Sequence, residues 1–101
     1  MIEKEYEELM NYIEQLSRRF ATASEYWDSL MESIDAARHR AELCDYEGML
    51  HELTTAIWSA LDGFRISRRP IMSPEITELF DKLYAFEKAL VQELKRFCGC
   101  R

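Results

Sequence analysis

The sequence predicts an all-α protein, an antiparallel bundle of about four helices that we expect to be oligomeric. Apolar residues recur at spacings of three and four along nearly the whole chain, and no stretch alternates with a period of two for long enough to form a strand. The 101 residues include only three Gly and two Pro. The five Tyr, five Phe and two Trp indicate a folded domain, because a disordered acidic chain would lack them.

The first two helices are predicted over about residues 2–20 and 23–43. In the first, apolar side chains follow a helical period from Ile2 onward, and glutamates occupy the opposite face. Thr22 and Glu25 have the spacing of a capping box, in which a hydroxyl and a carboxylate bind free N–H groups at a helix start. The sequence leaves open whether these two segments are separate or form one long helix.

The third helix is predicted over about residues 46–62. Asp45 is a suitable N-cap, because its short carboxylate can accept hydrogen bonds from the first free N–H groups of a helix. The apolar period resumes directly after it. Gly63 predicts the end of this helix, because glycine adopts the left-handed conformation that other residues resist.

The fourth helix is predicted over about residues 74–97, after a basic connection over 63–73. Ser73 is its expected N-cap, and Pro74 fits the first helical position, where no N–H group is needed. Short connections between consecutive helices favour antiparallel neighbours, so the four helices predict a bundle. We expect a single helical domain over residues 1–101.

The formal charge of −6 argues against duplex DNA and anionic membranes as the main partner, because phosphate repels an acidic chain. No apolar run is long enough to span a bilayer, and the first residues are too acidic for a signal peptide. Three cysteines form an odd number with no paired framework, which is typical of a reducing compartment. The sequence therefore predicts a cytoplasmic protein.

The basic connection is the main candidate for a ligand site. It precedes a helix start, where free N–H groups and the helix dipole attract anions, and arginine binds phosphate or carboxylate with two parallel hydrogen bonds. Its candidate anion-binding residues are Arg65, Ser67, Arg68, Arg69 and Ser73. The alternative is that these arginines neutralise the protein's own acidic helices, such as the cluster over residues 3–8.

Neither a catalytic nor a metal site is predicted. His51 and Glu52 begin like a zinc-protease motif, but Thr55 stands where the second histidine should be. Cys98 and Cys100 could offer two thiolates to a soft metal, although one C-x-C pair is a weak signal. We expect two free thiols there, with Cys98 partly buried, and neither an enzyme nor a cofactor.

The aromatic residues exceed what four narrow buried stripes can hold. Neighbouring pairs such as Tyr26-Trp27 and Ile57-Trp58 cannot both face one core, because adjacent helix positions are about 100° apart. Aromatic residues anchor protein interfaces, so we expect a homo-oligomer. Together with the acidic first helix, the predicted partner-interface residues are Glu3, Glu5, Glu7, Glu8, Tyr12, Trp27, Trp58 and Tyr84.

These observations favour a small, acidic, non-catalytic interaction protein that binds or inhibits a protein partner, which would have a basic surface. Small inhibitor and immunity proteins offer an analogy. The alternative is an oligomeric module that sequesters or senses a phosphate-bearing small molecule, such as a nucleotide, at the basic connection.

Overall fold

The computed structural model describes residues 2–70 and 72–99. These residues form four α-helices and a short 3₁₀ turn (Ala21–Ala23), and no strand occurs among them. The helices are α1 (Glu3–Arg19), α2 (Ser24–Glu42), α3 (Tyr46–Ile66) and α4 (Pro74–Phe97).

The four helices pack into an antiparallel bundle with extents of 43 × 20 × 20 Å. The Tyr6 hydroxyl donates to Asp35 and pairs the start of α1 with the end of α2. Of the neighbouring helix pairs, α2 and α3 make the most extensive contact, while α3 and α4 make the least. One side of the bundle is consequently less tightly closed than the other three.

The core lies between all four helices and is almost wholly apolar. Three of its largest buried side chains are aromatic (Trp27, Phe64 and Phe86). The rings of Trp27 and Phe64 meet edge to face, with centroids 5.2 Å apart. The other fully buried large side chains are Leu9, Ile13, Leu16, Leu30, Ile34, Met49, Leu79 and Leu90.

A turn interrupts the helix between α1 and α2, so the two segments are separate helices and not one long helix. The predicted capping box is wrong, because the N-cap of α2 is Ala23 and has no side-chain hydrogen bond. A buried donor instead ties down the turn: Trp27 Nε1 donates to the Phe20 carbonyl at 3.0 Å. The turn is therefore held from the core side rather than by a surface cap.

The third helix begins as predicted and ends later than predicted. Asp45 is its N-cap, and the side chain accepts a hydrogen bond from Gly48 N at 2.9 Å. Gly63 does not end α3, which continues to Ile66. A Cβ at position 63 would lie 2.7 Å from Cη2 of Trp27, so the residue is small because the indole packs against the helix backbone. The true connection is residues 67–73.

Both α2 and α3 end in a Schellman motif with a residue other than glycine in the left-handed position. At the end of α3, Arg69 N–H donates to Phe64 O at 2.9 Å, and Arg68 N–H donates to Arg65 O at 3.1 Å. Arg68 has φ 58°, and Cys44 occupies the matching position after α2 with φ 59°. The helix stop that the sequence placed at Gly63 is thus supplied by Arg68.

Replacing Arg68 with Gly should raise the free energy of unfolding by about 0.5–1 kcal/mol, because glycine carries no steric penalty at positive φ. The control is Arg65→Gly inside the helix, which should lower the free energy of unfolding by about 1 kcal/mol. Urea denaturation measures both variants. Destabilisation by Arg68→Gly would contradict the assignment of this position to the helix end alone.

Candidate functional site

The residues of the predicted anion site lie together at one end of the bundle, and most of them have partners within the chain. Exposed Arg65 pairs with Asp62 at 3.4 Å. The Ser67 hydroxyl donates to the Gly63 carbonyl at 2.7 Å. Arg68 is exposed and makes no ion pair with the described residues. Of these groups, the Arg68 side chain has the freest access to a ligand.

A buried carboxylate of the protein, Glu75, occupies the position expected for a bound anion. It lies in the first turn of α4, where the helix dipole favours negative charge. Arg69 Nη2 donates to both of its carboxylate oxygens, at 3.0 and 3.2 Å, and Arg19 contacts one of them at 2.9 Å. Charge neutralisation within the chain therefore occurs here, with Glu75 rather than with the acidic cluster over residues 3–8.

This cluster lowers the pKa of Glu75. Hydrogen bonds from its own backbone N–H and from the Arg69 guanidinium favour the ionised carboxylate, and they outweigh the opposing effect of desolvation on its pKa. The positive charges of Arg69 and Arg19 act in the same direction. Glu75 therefore stays ionised to more acidic pH in the folded chain than in the unfolded chain.

The stability that Glu75 contributes should be present above its unfolded pKa and should disappear as the pH falls through its lower folded pKa. We expect Glu75→Gln to weaken the acid dependence of stability, so that the melting temperature changes less than in the wild type between neutral pH and pH near 3. Glu78→Gln, which removes an exposed carboxylate from the same helix, is the matched control. Equal changes in the two variants would contradict the role of the cluster.

Binding of an external anion at this end stays a prediction. Ser73 is buried at the N-cap of α4 and makes no side-chain capping bond. The ring of Phe20 lies near both guanidinium groups of the cluster, 5.2 Å from that of Arg19 and 5.7 Å from that of Arg69. A phosphate would have to compete with the Glu75 carboxylate for Arg19 and Arg69.

The prediction that Trp27 lies at a partner interface is wrong. Trp27 has no exposed surface, because it packs against Phe64 and Gly63 in the centre of the bundle. Its neighbour Tyr26 takes the partly exposed position instead. Tyr26 packs against the edge of the core, so Trp27 is the fully buried member of this adjacent pair and Tyr26 the partly buried one.

Some side chains of the predicted acidic interface are exposed, and others are partly buried or form an ion pair within the chain. Glu7 and Glu8 are exposed on α1, whereas Glu3 pairs with Arg38. Glu5 is partly buried, and its Oε1 has no hydrogen-bond partner among the described residues. Tyr12 is half-buried. Only part of the acidic set is thus free to meet a partner.

Of the two remaining predicted aromatic residues, Tyr84 lies on the less closed side of the bundle, whereas Trp58 is 64% exposed on α3 and lines neither cleft of that side. We define the α3–α4 face by Tyr46, Leu53 and Ile57 on α3 and by Phe80, Leu83, Tyr84, Glu87, Val91, Leu94 and Lys95 on α4. Tyr84 is 61% exposed, while Tyr46 and Ile57 are 51% and 41% exposed. Large apolar side chains are therefore concentrated where α3 and α4 pack least.

Two clefts follow one another along this face. The first has a volume of about 210 Å³ and is lined by Leu53, Ile57, Phe80, Leu83, Tyr84 and Glu87. The second has a volume of about 290 Å³ and is lined by Cys44, Tyr46, Val91, Leu94, Lys95, Cys98 and Gly99. Both are mainly apolar, and each has one charged residue, Glu87 or Lys95, among the residues that line it.

The expectation of two free thiols is wrong for Cys98, which forms a disulfide with Cys44. The two residues are 54 positions apart in the sequence, and the fold brings their Cα atoms to 5.8 Å. Cys100 lies outside the described residues. The cysteine argument for a cytoplasmic location is withdrawn, because disulfides persist mainly in oxidising compartments, and that location stays a prediction.

Sequence reasoning missed most of the α3–α4 face. A second stripe at spacings of three and four runs along α4 through Phe80, Tyr84, Glu87 and Val91, beside the buried stripe. This spacing was the feature of the sequence that could have indicated the α3–α4 face. The charged residue within the stripe concealed it, because a glutamate there is typical of a solvated helix face.

Among the described residues, no helix is long and apolar enough to cross a membrane. No cluster of three or more His, Cys, Asp or Glu side chains in that part of the chain could hold a metal ion. Comparison of the chain with protein-family models, curated proteins and solved structures finds no match.

Proposed function

We propose that this protein is a non-catalytic interaction protein that binds a protein partner through the α3–α4 face. The observation that carries the proposal is the exposure of Tyr46, Ile57 and Tyr84 on one side of the bundle, beside the two clefts. Aromatic side chains anchor interfaces because they remove much apolar surface from water and lose few rotatable bonds on binding. Scattered exposed apolar residues are ordinary, but an apolar face beside two clefts is typical of an interaction site.

The charge of the chain supports a partner with a basic surface. The formal charge is −6, and Glu7 and Glu8 on α1 remain exposed. An acidic protein approaches a basic partner faster than a neutral one does, and the attraction weakens as salt is added. In this proposal the acidic helix α1 raises the association rate, and the α3–α4 face makes the contacts that slow dissociation of the complex. Such a protein could bind its partner as an inhibitor.

The proposal is tested by capturing partners from a lysate of the source cells on the immobilised protein and on two variants. Tyr84→Ala removes the most exposed aromatic residue of the face, and Ile57→Asp places a charge beside the first cleft. Both variants should retain the fold, because neither residue is buried. We expect each to lower recovery of a specific partner by at least about tenfold, the scale of an interface anchor.

Met72→Ala is the matched control, because it also removes a large exposed apolar side chain, from a position outside the α3–α4 face. It should capture as much partner as the wild type. The proposal is contradicted if nothing is enriched at low or physiological salt, or if the Met72 variant loses as much binding as the Tyr84 variant.

A further inference from the structure

The two clefts of the α3–α4 face are related by a repeat along α4. The first is lined on α4 by Phe80, Leu83, Tyr84 and Glu87. The second is lined by Val91, Leu94 and Lys95 of that helix and by Cys98, its C-cap residue. Each member of the second set follows its counterpart by eleven residues, which is about three helical turns and about 16 Å. The clefts thus lie on the same side of α4.

Charges of opposite sign stand at equal distances from the middle of this repeat. Glu87 lies four residues before Val91, and Lys95 lies four residues after it. Neither charged side chain forms an ion pair with the described residues. Val91 is partly buried against the core and presents the rest of its apolar surface between them. An identical helix that runs in the opposite direction would therefore present a lysine opposite Glu87 and a glutamate opposite Lys95.

A second copy of α4, antiparallel to the first and centred on Val91, would bring unlike charges together twice. Glu87 of each copy would face the other copy's Lys95. The same rotation would place Tyr84, 61% exposed, opposite Cys98 of the other copy and so at the second cleft. That cleft, with a volume of about 290 Å³, offers the apolar wall that an aromatic ring requires.

We propose that the chain forms a twofold-symmetric dimer in which the two α4 helices pack antiparallel at Val91. Two reciprocal Glu87–Lys95 pairs would flank the axis, and Tyr84 of each copy would enter the second cleft of the other. A twofold interface uses the same surface on both copies, as this self-complementary face allows.

The available surface is large enough for such a dimer. A standard interface covers about 800 Å² on each partner. The whole chain exposes 6419 Å², and one long side of the bundle measures 43 by 20 Å. The dimer goes beyond the proposed function, because it requires no second kind of protein. The dimer would cover the α3–α4 face, so a partner that binds this face would have to displace the second copy.

Light scattering of the purified protein, measured over a wide range of concentrations, tests this proposal. All samples carry Cys100→Ser, so that a covalent link between chains through that thiol is not counted as association. We expect a mass of twice the 12.0 kDa of one chain. Glu87→Lys and Lys95→Glu should each weaken dimerisation by at least about tenfold, because like charges would then meet at both pairs.

The double variant Glu87→Lys/Lys95→Glu should restore the dimer, because it exchanges the charges and recovers both pairs. Glu14→Lys, an exposed charge reversal on α1, is the control and should leave the mass unchanged. A wild-type monomer at every concentration overturns the proposal. It is also overturned if a single reversal leaves the dimer intact, or if the double variant stays as weak as the single ones. Circular dichroism confirms that each variant is folded.

Discussion

Removing the Cys44–Cys98 disulfide should lower the free energy of unfolding by about 2–4 kcal/mol. The bond closes a loop of 54 residues, and in the chain-entropy account a loop of that length is worth roughly 4 kcal/mol at 25 °C. It also joins the start of α3 to the end of α4, the helix pair that packs least closely. The loss would be large beside a total stability of about 5–15 kcal/mol for a domain.

Urea denaturation of the oxidised protein and of the Cys44→Ser/Cys98→Ser variant measures this effect. Cys100→Ser is the control, and it should change the free energy of unfolding by less than about 0.5 kcal/mol. The pairing would be contradicted by three reactive thiols in the folded, non-reduced protein. A loss below about 1 kcal/mol in the double variant would show that the bond does little for stability.

Replacing Trp27 with Ala should lower the free energy of unfolding by about 3–5 kcal/mol. The indole is fully buried, meets Phe64 edge to face and packs against the backbone at Gly63. Its removal would leave a cavity, and it would also take away the donor that binds the Phe20 carbonyl. The Phe20 carbonyl would keep its hydrogen bond from the Ala23 N–H, so the lost hydrogen bond adds only about 1 kcal/mol to the cost.

Trp58→Ala distinguishes a core role from an interface role for the two tryptophans. Trp58 is mostly exposed in the single chain, so its loss should change the free energy of unfolding by less than about 0.5 kcal/mol at dilutions where the chain is monomeric. Thermal and urea denaturation of both variants supply the comparison. Similar small effects for the two replacements would support the original interface prediction for Trp27 and contradict the structure.

The helical architecture could be predicted because each helix carries its own repeat. The all-helical fold is confirmed, and Asp45 begins α3 where its capping side chain predicts. These features depend on residues close together in the sequence. The turn between α1 and α2 was placed approximately, but its cause was not, because the Trp27 indole that holds it belongs to the core.

The errors have a common physical origin, since each concerns a contact between distant residues. A glycine such as Gly63 is typical of a helix end. Here it lies inside α3, because the indole of Trp27, 36 positions earlier in the chain, leaves no room for a side chain at position 63. Cys44 and Cys98 show no local pairing pattern, because only the closed bundle brings them together. A local rule applied to such residues predicts the wrong role.

The candidate sites were predictable to different degrees. The sequence identified an anion-attracting helix start, and an anion does lie there, but it is the Glu75 carboxylate of the same helix. Tyr84 and Trp58 were correctly expected to lie on the surface. The clefts along the α3–α4 face were not foreseen, because the sequence of either helix alone does not determine how α3 and α4 pack against each other.

Site-specific photocrosslinking tests most directly whether the α3–α4 face is a protein-binding surface. A photoreactive phenylalanine analogue replaces Tyr84 in one sample and exposed Glu14 of α1 in the other, and both proteins are irradiated in a lysate of the source cells. We expect position 84 to give a discrete adduct with a partner protein that is absent from position 14. No adduct at position 84, or the same adducts at both positions, would contradict the proposal.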